Sequence, residues 1–211
     1  MSLPYAASAV SALEAATVAG LPVVLAPIDQ AFVPLREDGQ RLVLAADGLY
    51  IEARAPRLYA LRRIAQCDTP FGSVQPRLDL QAGPLPRALL SAFAQMALDA
   101  HPREAAALAI SRDGSRYELH VPPAHGTTGR ITYDDTGYAD SELVFDLHSH
   151  GPYAAVFSAT DDDSDRSRGV PHISIVLGSC ASSSSITHAA RLCVGSYLLY
   201  LEGTDLMGLL Q

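Results

Sequence analysis

Lysine, asparagine and tryptophan are absent from the 211 residues, and all 15 basic side chains are arginine. The bias fits a GC-rich genome, which disfavours Lys and Asn codons, and it leaves no ε-amine open to modification. With 23 acidic residues the formal net charge is −8, and no stretch gathers the arginines into a patch. Nucleic-acid binders need such a patch, so a phosphate-backbone partner is excluded. No apolar run approaches the ~20 residues of a membrane-spanning helix. Residues 1–20 are Ala-rich, but they lack a basic leading region and carry Glu14 within the apolar part. That pattern excludes export and predicts a cytoplasmic protein. Cys67, Cys180 and Cys193 are odd in number and lack CxxC spacing, which fits a reducing compartment without a disulfide framework. Each is expected to be a small buried apolar residue.

The length allows one large domain or two small ones. From 22 to 80 the pattern predicts short strands: Val23–Ile28, Phe32–Leu35, then Arg41–Ala45 and Leu49–Ala53 flanking the hairpin signal Asp47-Gly48. Leu58–Ile64 suits strand or helix, and 66–84, rich in Pro and Gly, suits a connector. Nothing in 1–83 assembles a reactive set of side chains, so a small β-rich N-terminal domain is expected there, with 84–211 as the second domain.

Leu89, Leu90, Phe93, Met96, Ala97 and Ala100 form one apolar stripe at a 3.6-residue period, which predicts a core-facing helix opened by Pro86 and closed at His101-Pro102. Glu104 then leads into an apolar strand ending at Ile110, and Asp113-Gly114 turns it into Tyr117–Val121. Residues 122–141 suit a loop holding one strand, Arg130–Tyr133, with His125 as a loop residue. Further on, Pro171–Leu177 is expected as a buried strand, Ser179–Ser185 as a flexible turn and Arg191–Glu202 as one long final strand.

The chemistry concentrates in 142–165. The apolar run Leu143, Val144, Phe145 and Leu147 delivers His148 and His150, whose i, i+2 spacing puts both imidazoles on one face of a strand. Ser158 and Asp161 follow as Ser-x-x-Asp, a helix-start pattern with Ser158 as cap and Asp161 in the first turn. Two histidines and a carboxylate make a three-ligand set for a tetrahedral Zn²⁺ with a position left for water. A lone His-x-His is often only a hydrogen-bonded strand-end pair; the added Ser158 and Asp161 argue against that. Asp162, Asp163 and Asp165 suit a solvated helix start that complements the macrodipole.

His-x-His, seven residues, Ser-x-x-Asp resembles the signature of the JAMM (JAB/MPN) metalloproteases, which cleave peptide or isopeptide bonds at ubiquitin-like C-termini. One departure is Gly151-Pro152, where that family usually places proline directly after the second histidine. The resemblance implies one zinc per chain on His148, His150 and Asp161, with Ser158 positioning the zinc water and stabilising the tetrahedral intermediate. It also implies a general base upstream, at the start of the domain's first strand. Glu104, in Pro102-Arg103-Glu104, occupies that place, and Glu118 and Glu142 are its competitors. The implied fold is α/β: a JAB/MPN, cytidine-deaminase-like mixed sheet flanked by helices, behind the small β-rich domain. A zinc deaminase itself is excluded, because its His-x-Glu and Pro-Cys-x-x-Cys set is missing.

The two-part layout, with Ala-Asp-Gly-Leu-Tyr-Ile-Glu-Ala at 46–53 and Gly83-Pro-Leu-Pro before the helix, also resembles protein A of the PRTRC systems. Those cassettes encode a ThiF/E1-like activating enzyme and a ubiquitin-like protein, which are therefore the implied partners; a homodimer is left open. Two other functions share the ligand set. One is a metal hydrolase of small-molecule or sulfur-carrier conjugates, the other a non-catalytic MPN scaffold.

Overall fold

The computed structural model describes residues 20–134 and 136–210; the N-terminal segment examined for an export signal lies outside them up to residue 19. The chain divides into two units. One ends at Leu78; the other takes the chain from Asp79 onward, together with Ala55–Leu58.

A five-stranded sheet in sequential order organises the first unit: β1 (Val23–Leu25), β2 (Gly39–Ala45), β3 (Gly48–Ala55), β4 (Leu58–Gln66) and β5 (Arg77–Leu80). β1 runs parallel to β2, and β2 and β3 form a hairpin in which Ala45 faces Gly48. Val43, Ala45, Tyr50, Tyr59 and Leu61 pack with Ala26 and Val74 into its core. Glu52 is fully buried in this unit, which would be costly for a lone carboxylate. It is satisfied by Arg41 Nε at 2.5 Å, Tyr59 O–H at 2.8 Å and Leu35 N–H at 2.7 Å. Those partners explain why Phe32–Leu35 is not a strand. Its backbone bonds side chains instead, since Val33 O accepts from Arg41 Nη2 and Leu35 O accepts from Arg54 Nε. Two further expectations are corrected here: the Pro- and Gly-rich connector contains β5, and Cys67 is exposed, unlike Cys180 and Cys193.

The second unit opens with α1 (Arg87–Ala100), which buries Phe93 and Ala97 from the expected stripe and ends at His101. Its strands are β6 (Ala106–Ile110), β7 (Glu118–His120), β8 (Ala124–Gly126), β9 (Ile131–Tyr133), β10 (Leu143–Ser149), β11 (His172–Gly178), β12 (Thr187–Val194) and β13 (Tyr197–Tyr200). Six of them form a mixed sheet in the order β13-β12-β11-β10-β6-β7, while β8 and β9 make a separate hairpin. Within this sheet only β10 and β11 pair in parallel, and α2 (Ala159–Ser167) connects them. Every residue of β6, β10 and β11 is buried, which accounts for their near-continuous apolar runs. The chain is thus a mixed α/β protein with a distinct N-terminal β-rich region.

The long strand expected over 191–202 is broken. Gly195, at φ 54°, and Ser196 turn the chain so that Val194 faces Tyr197, and a short helix, α3 (Thr204–Leu209), follows. The expected loop at 122–141 likewise holds a second strand, β8.

The acidic run of α2 also departs from expectation. Asp163 is exposed, but Asp165 is only 4% accessible. Asp165 meets Arg191 Nε at 2.7 Å, the Cys193 thiol at 3.2 Å and His172 Nε2 at 3.3 Å. The residues that neutralise it lie on β11 and β12, so no local pattern shows the burial. Burial works to raise the Asp165 carboxyl; His172 and then Arg191 prevail and hold it at about 2. A carboxylate depressed in the folded state adds stability above its unfolded value, near 4, and that stability is lost as pH falls through about 2. The share is on the order of 2 kcal/mol. In urea melts at stepped pH, the gap between the wild type and Asp165→Asn is therefore expected to narrow between pH 4 and 2. A gap constant across that window would contradict the assignment.

Candidate metal centre

β10 ends at the site. His148 lies within it and His150 directly follows it, so the i, i+2 spacing sends both rings to one face. Their centroids are 5.1 Å apart. Ser149, between them, faces the opposite way and is fully buried, its Oγ accepting the Ala105 N–H at 2.9 Å while its own N–H donates to Ala105 O. This double tie fixes the start of β6, and with it Glu104, beside the histidines. Sequence reasoning passed over Ser149; the only signal was a small hydroxyl residue between the two ligand candidates.

The chain then leaves β10 through Gly151, at φ 53°. A Cβ at this position would stand 2.4 Å from the Pro102 carbonyl oxygen. Close backbone approach and left-handed conformation together require glycine here, which gives a physical reason for the Gly-Pro order after His150.

Helix α2 begins where Ser-x-x-Asp predicts. Ser158 caps it reciprocally: its Oγ accepts the Asp161 N–H at 3.2 Å, and its N–H donates to Asp161 Oδ2 at 2.6 Å. The box holds the Asp161 carboxylate toward the sheet, with Oδ1 3.3 Å from His148 Nε2 and Oδ2 3.3 Å from His150 Nε2. Burial works to raise this carboxyl; the two imidazoles facing it prevail and hold it far below the ordinary carboxylate range. In return the bond to Asp161 raises His150 above its usual value, against the effect of burial.

The donor atoms of His148, His150 and Asp161 lie within 4.8 Å of one another. His148 Nε2 is buried and makes no hydrogen bond of proper geometry. A buried imidazole nitrogen aimed into a shared space, without a hydrogen bond of its own, fits a metal ligand. Two neutral nitrogens and one carboxylate suit a borderline divalent ion, and three protein ligands leave room for a water.

Glu104, 9% accessible, reaches the same centre. It lines a cavity of about 520 Å³ with His150, Ser158, Asp161, Tyr153 and Ile131. Burial raises its carboxyl above the usual value, against the pull of His150 and His148, and Asp161 adds to the rise. Its backbone N–H is held by Thr127 O beside the β8–β9 hairpin. The competing glutamates are elsewhere: Glu118 and Glu142 both pair with Arg112, and Glu142 sits at the entrance of β10, the end away from the histidines. His125 is exposed on β8 and stands outside the ligand set.

Residues 86–192 match the family described as prokaryotic homologs of the JAB domain. The chain belongs to the JAB/MPN family. In front of this JAB domain, residues 11–81 match a domain of unknown function, DUF2016. Among solved structures, the solution structure of protein DSY2949 from Desulfitobacterium hafniense is similar at 14% identity. The similarity covers 56% of this chain and 89% of that one, with a TM-score of 0.39. No curated protein matches. Among the described residues, no helix of this JAB/MPN protein is long and apolar enough to cross a membrane.

Elemental analysis of the purified chain is expected to find one divalent ion, lost in both His148→Ala and Asp161→Ala because each removes a ligand. Full occupancy in the His148→Ala/His150→Ala double variant would overturn the ligand set.

Proposed function

We propose that this JAB/MPN protein is a zinc-dependent peptidase of the JAMM type, hydrolysing an amide or isopeptide bond at the C-terminus of a ubiquitin-like protein. The observation that carries this is the meeting of the His148, His150 and Asp161 donors within 4.8 Å of one another, two of them, His150 and Asp161, lining one cavity with a buried carboxyl of raised pKa, Glu104. Zinc bound by His148, His150 and Asp161 would supply Lewis acidity, polarising a carbonyl and lowering the pKa of water to roughly 7. Glu104 is the general base. Burial makes it a better proton acceptor than an exposed carboxylate; it takes the proton from the attacking water and returns it to the departing amine. Ser158 receives the Asp161 N–H at its oxygen, which leaves its own O–H to donate to the oxyanion.

The ubiquitin-like substrate rests on the resemblance to PRTRC protein A, with a ThiF/E1-like enzyme as functional partner, and on a cavity of about 520 Å³ bordered by the β8–β9 hairpin. Hydrolysis of small amide or sulfur-carrier conjugates would use the same five residues. A scaffold role has no use for a complete donor set with a buried acid beside it.

Purified zinc-loaded protein is expected to cleave a ubiquitin-like C-terminal fusion. Glu104→Gln, nearly isosteric and not a ligand, should keep its zinc while turnover falls roughly 10²- to 10⁴-fold. Zinc lost along with activity would make Glu104 a ligand, and unchanged turnover would move the base elsewhere. Cleavage of small amide conjugates but no protein fusion would transfer the substrate class to the second reading, and no hydrolysis of either would favour the scaffold.

A further inference from the structure

Arg191, on β12, is the largest fully buried side chain among the described residues, at 1% accessibility, and takes no part in the chemistry above. Its guanidinium grips α2 at two successive points. Nη1 meets Asp162 Oδ1 at 2.5 Å, while Nε and Nη2 meet Asp165 Oδ2 at 2.7 and 2.6 Å. The flat face of the same group lies 3.9 Å from the ring centroid of Phe157, within cation–π range. Phe157 directly precedes the Ser158 cap, and its ring packs 6.0 Å from that of His148. One cation therefore holds the chain on both sides of Ser158 and Asp161, and supports a ligand histidine through the intervening aromatic ring.

A competing reading of this cluster is a second metal site, because the donor atoms of Asp165, His172 and Cys193 also lie within 4.8 Å of one another. The contacts oppose it. Asp165 Oδ2 already accepts from Arg191 Nε and the Cys193 thiol, with Arg191 Nη2 2.6 Å away, and a cation there would sit against a fixed positive charge. The thiol acts as a donor, and burial together with Asp165 pushes its pKa well above the ordinary value. His172 is occupied from both sides, with Nδ1 3.0 Å from Val170 O and Nε2 3.3 Å from Asp165 Oδ1.

We propose that Arg191 is the positioning residue of the metal centre: by clamping Asp162, Asp165 and Phe157 it fixes Asp161 opposite His148 and His150, and so sets metal affinity without touching the metal. Asp165, His172 and Cys193 serve the clamp by anchoring its deepest carboxylate. The inference rests on the ligand assignment above and adds a determinant outside the five functional side chains. Lysine cannot replace Arg191, because an ammonium lacks the planar fork that reaches two carboxylates and the flat face that stacks on Phe157.

The test uses the full chain and four proteins: wild type, Arg191→Lys, Asp162→Ala and Asp163→Ala. Asp162→Ala removes one grip while Arg191 keeps Asp165, and Asp163 is 87% exposed, which makes its variant the control. Zinc affinity, read by chelator competition, is expected to fall roughly 10- to 100-fold in Arg191→Lys, less in Asp162→Ala, and not at all in Asp163→Ala. The visible absorption of the Co²⁺-substituted protein should shift in the first variant, a change that loss of global stability alone would not produce. In metal-free protein, amide exchange at Ser158 and Asp161 should accelerate by about tenfold in Arg191→Lys and stay unchanged in the control. Wild-type affinity, cobalt spectrum and exchange in a folded Arg191→Lys would overturn the proposal. If that variant does not fold, wild-type affinity and exchange in Asp162→Ala would overturn it instead. Two zinc ions per wild-type chain would return the Asp165 cluster to a metal site. No zinc in the wild type would sink the function proposed above, while the exchange readout, which needs no metal, would still decide the role of Arg191.

Discussion

Helix α2 must hold the sheet without hydrocarbon. Its nine residues, Ala-Thr-Asp-Asp-Asp-Ser-Asp-Arg-Ser, contain no apolar side chain larger than alanine. Most surface helices dock through an apolar stripe; this one docks through charge. Asp161 faces His148 and His150, and Asp162 and Asp165 face Arg191. Just past the helix, Arg168 pairs with the buried Asp146 of β10 and bonds the Tyr133 hydroxyl of β9. Breaking a buried pair on one side leaves the other charge uncompensated, which is far more costly than the pair's net contribution. The acidic residues of α2 and their partners on β10, β11 and β12 are therefore coupled, although they lie far apart in the sequence.

Topology explains why the candidate ligands meet at all. In a parallel β-α-β crossover, the connecting helix starts near the C-terminal end of the first strand, which is where such sheets present their sites. Histidines placed at the end of β10 and an aspartate in the first turn of α2 are thus delivered to one place by the connectivity alone. Glu104 arrives by another route. β6 runs antiparallel to β10, so its first residues lie beside the last residues of β10; His148 is opposite Ala106, and Ser149 bonds Ala105 on both its backbone and side chain. Three segments of separate sequence origin converge because one buried strand borders all of them.

What could be read from the sequence was what short-range geometry encodes. The i, i+2 histidines, the Ser-x-x-Asp cap and the apolar stripe of α1 are local patterns, and the structure places each on the expected kind of element. What escaped depends on distant partners. Asp165 looked like a solvated helix residue because Arg191 lies 26 positions away. Phe32–Leu35 looked like a strand, but Glu52, Arg41 and Arg54 take its backbone bonds. Arg191–Glu202 looked continuous because the Gly195-Ser196 turn is only two residues long and is flanked by apolar residues on both sides. Ser149 carried no signal beyond its position between two histidines, since its role is to reach across to another strand.

The charged underside of α2 has a thermodynamic consequence. Lifting this helix from the sheet would expose the carboxylates of Asp162 and Asp165 and the Arg191 guanidinium, and no apolar side chain of the helix larger than alanine. Both the heat-capacity change and the denaturant slope of an unfolding event scale with the surface it uncovers, and apolar surface dominates the former. The helix's own side chains therefore contribute little to either quantity, while the core of β6, β10 and β11 unfolds with the large values of ordinary apolar burial. Ionic strength is the variable that separates the two, because added salt screens the contacts beneath α2 as they become wet and leaves hydrocarbon packing nearly untouched.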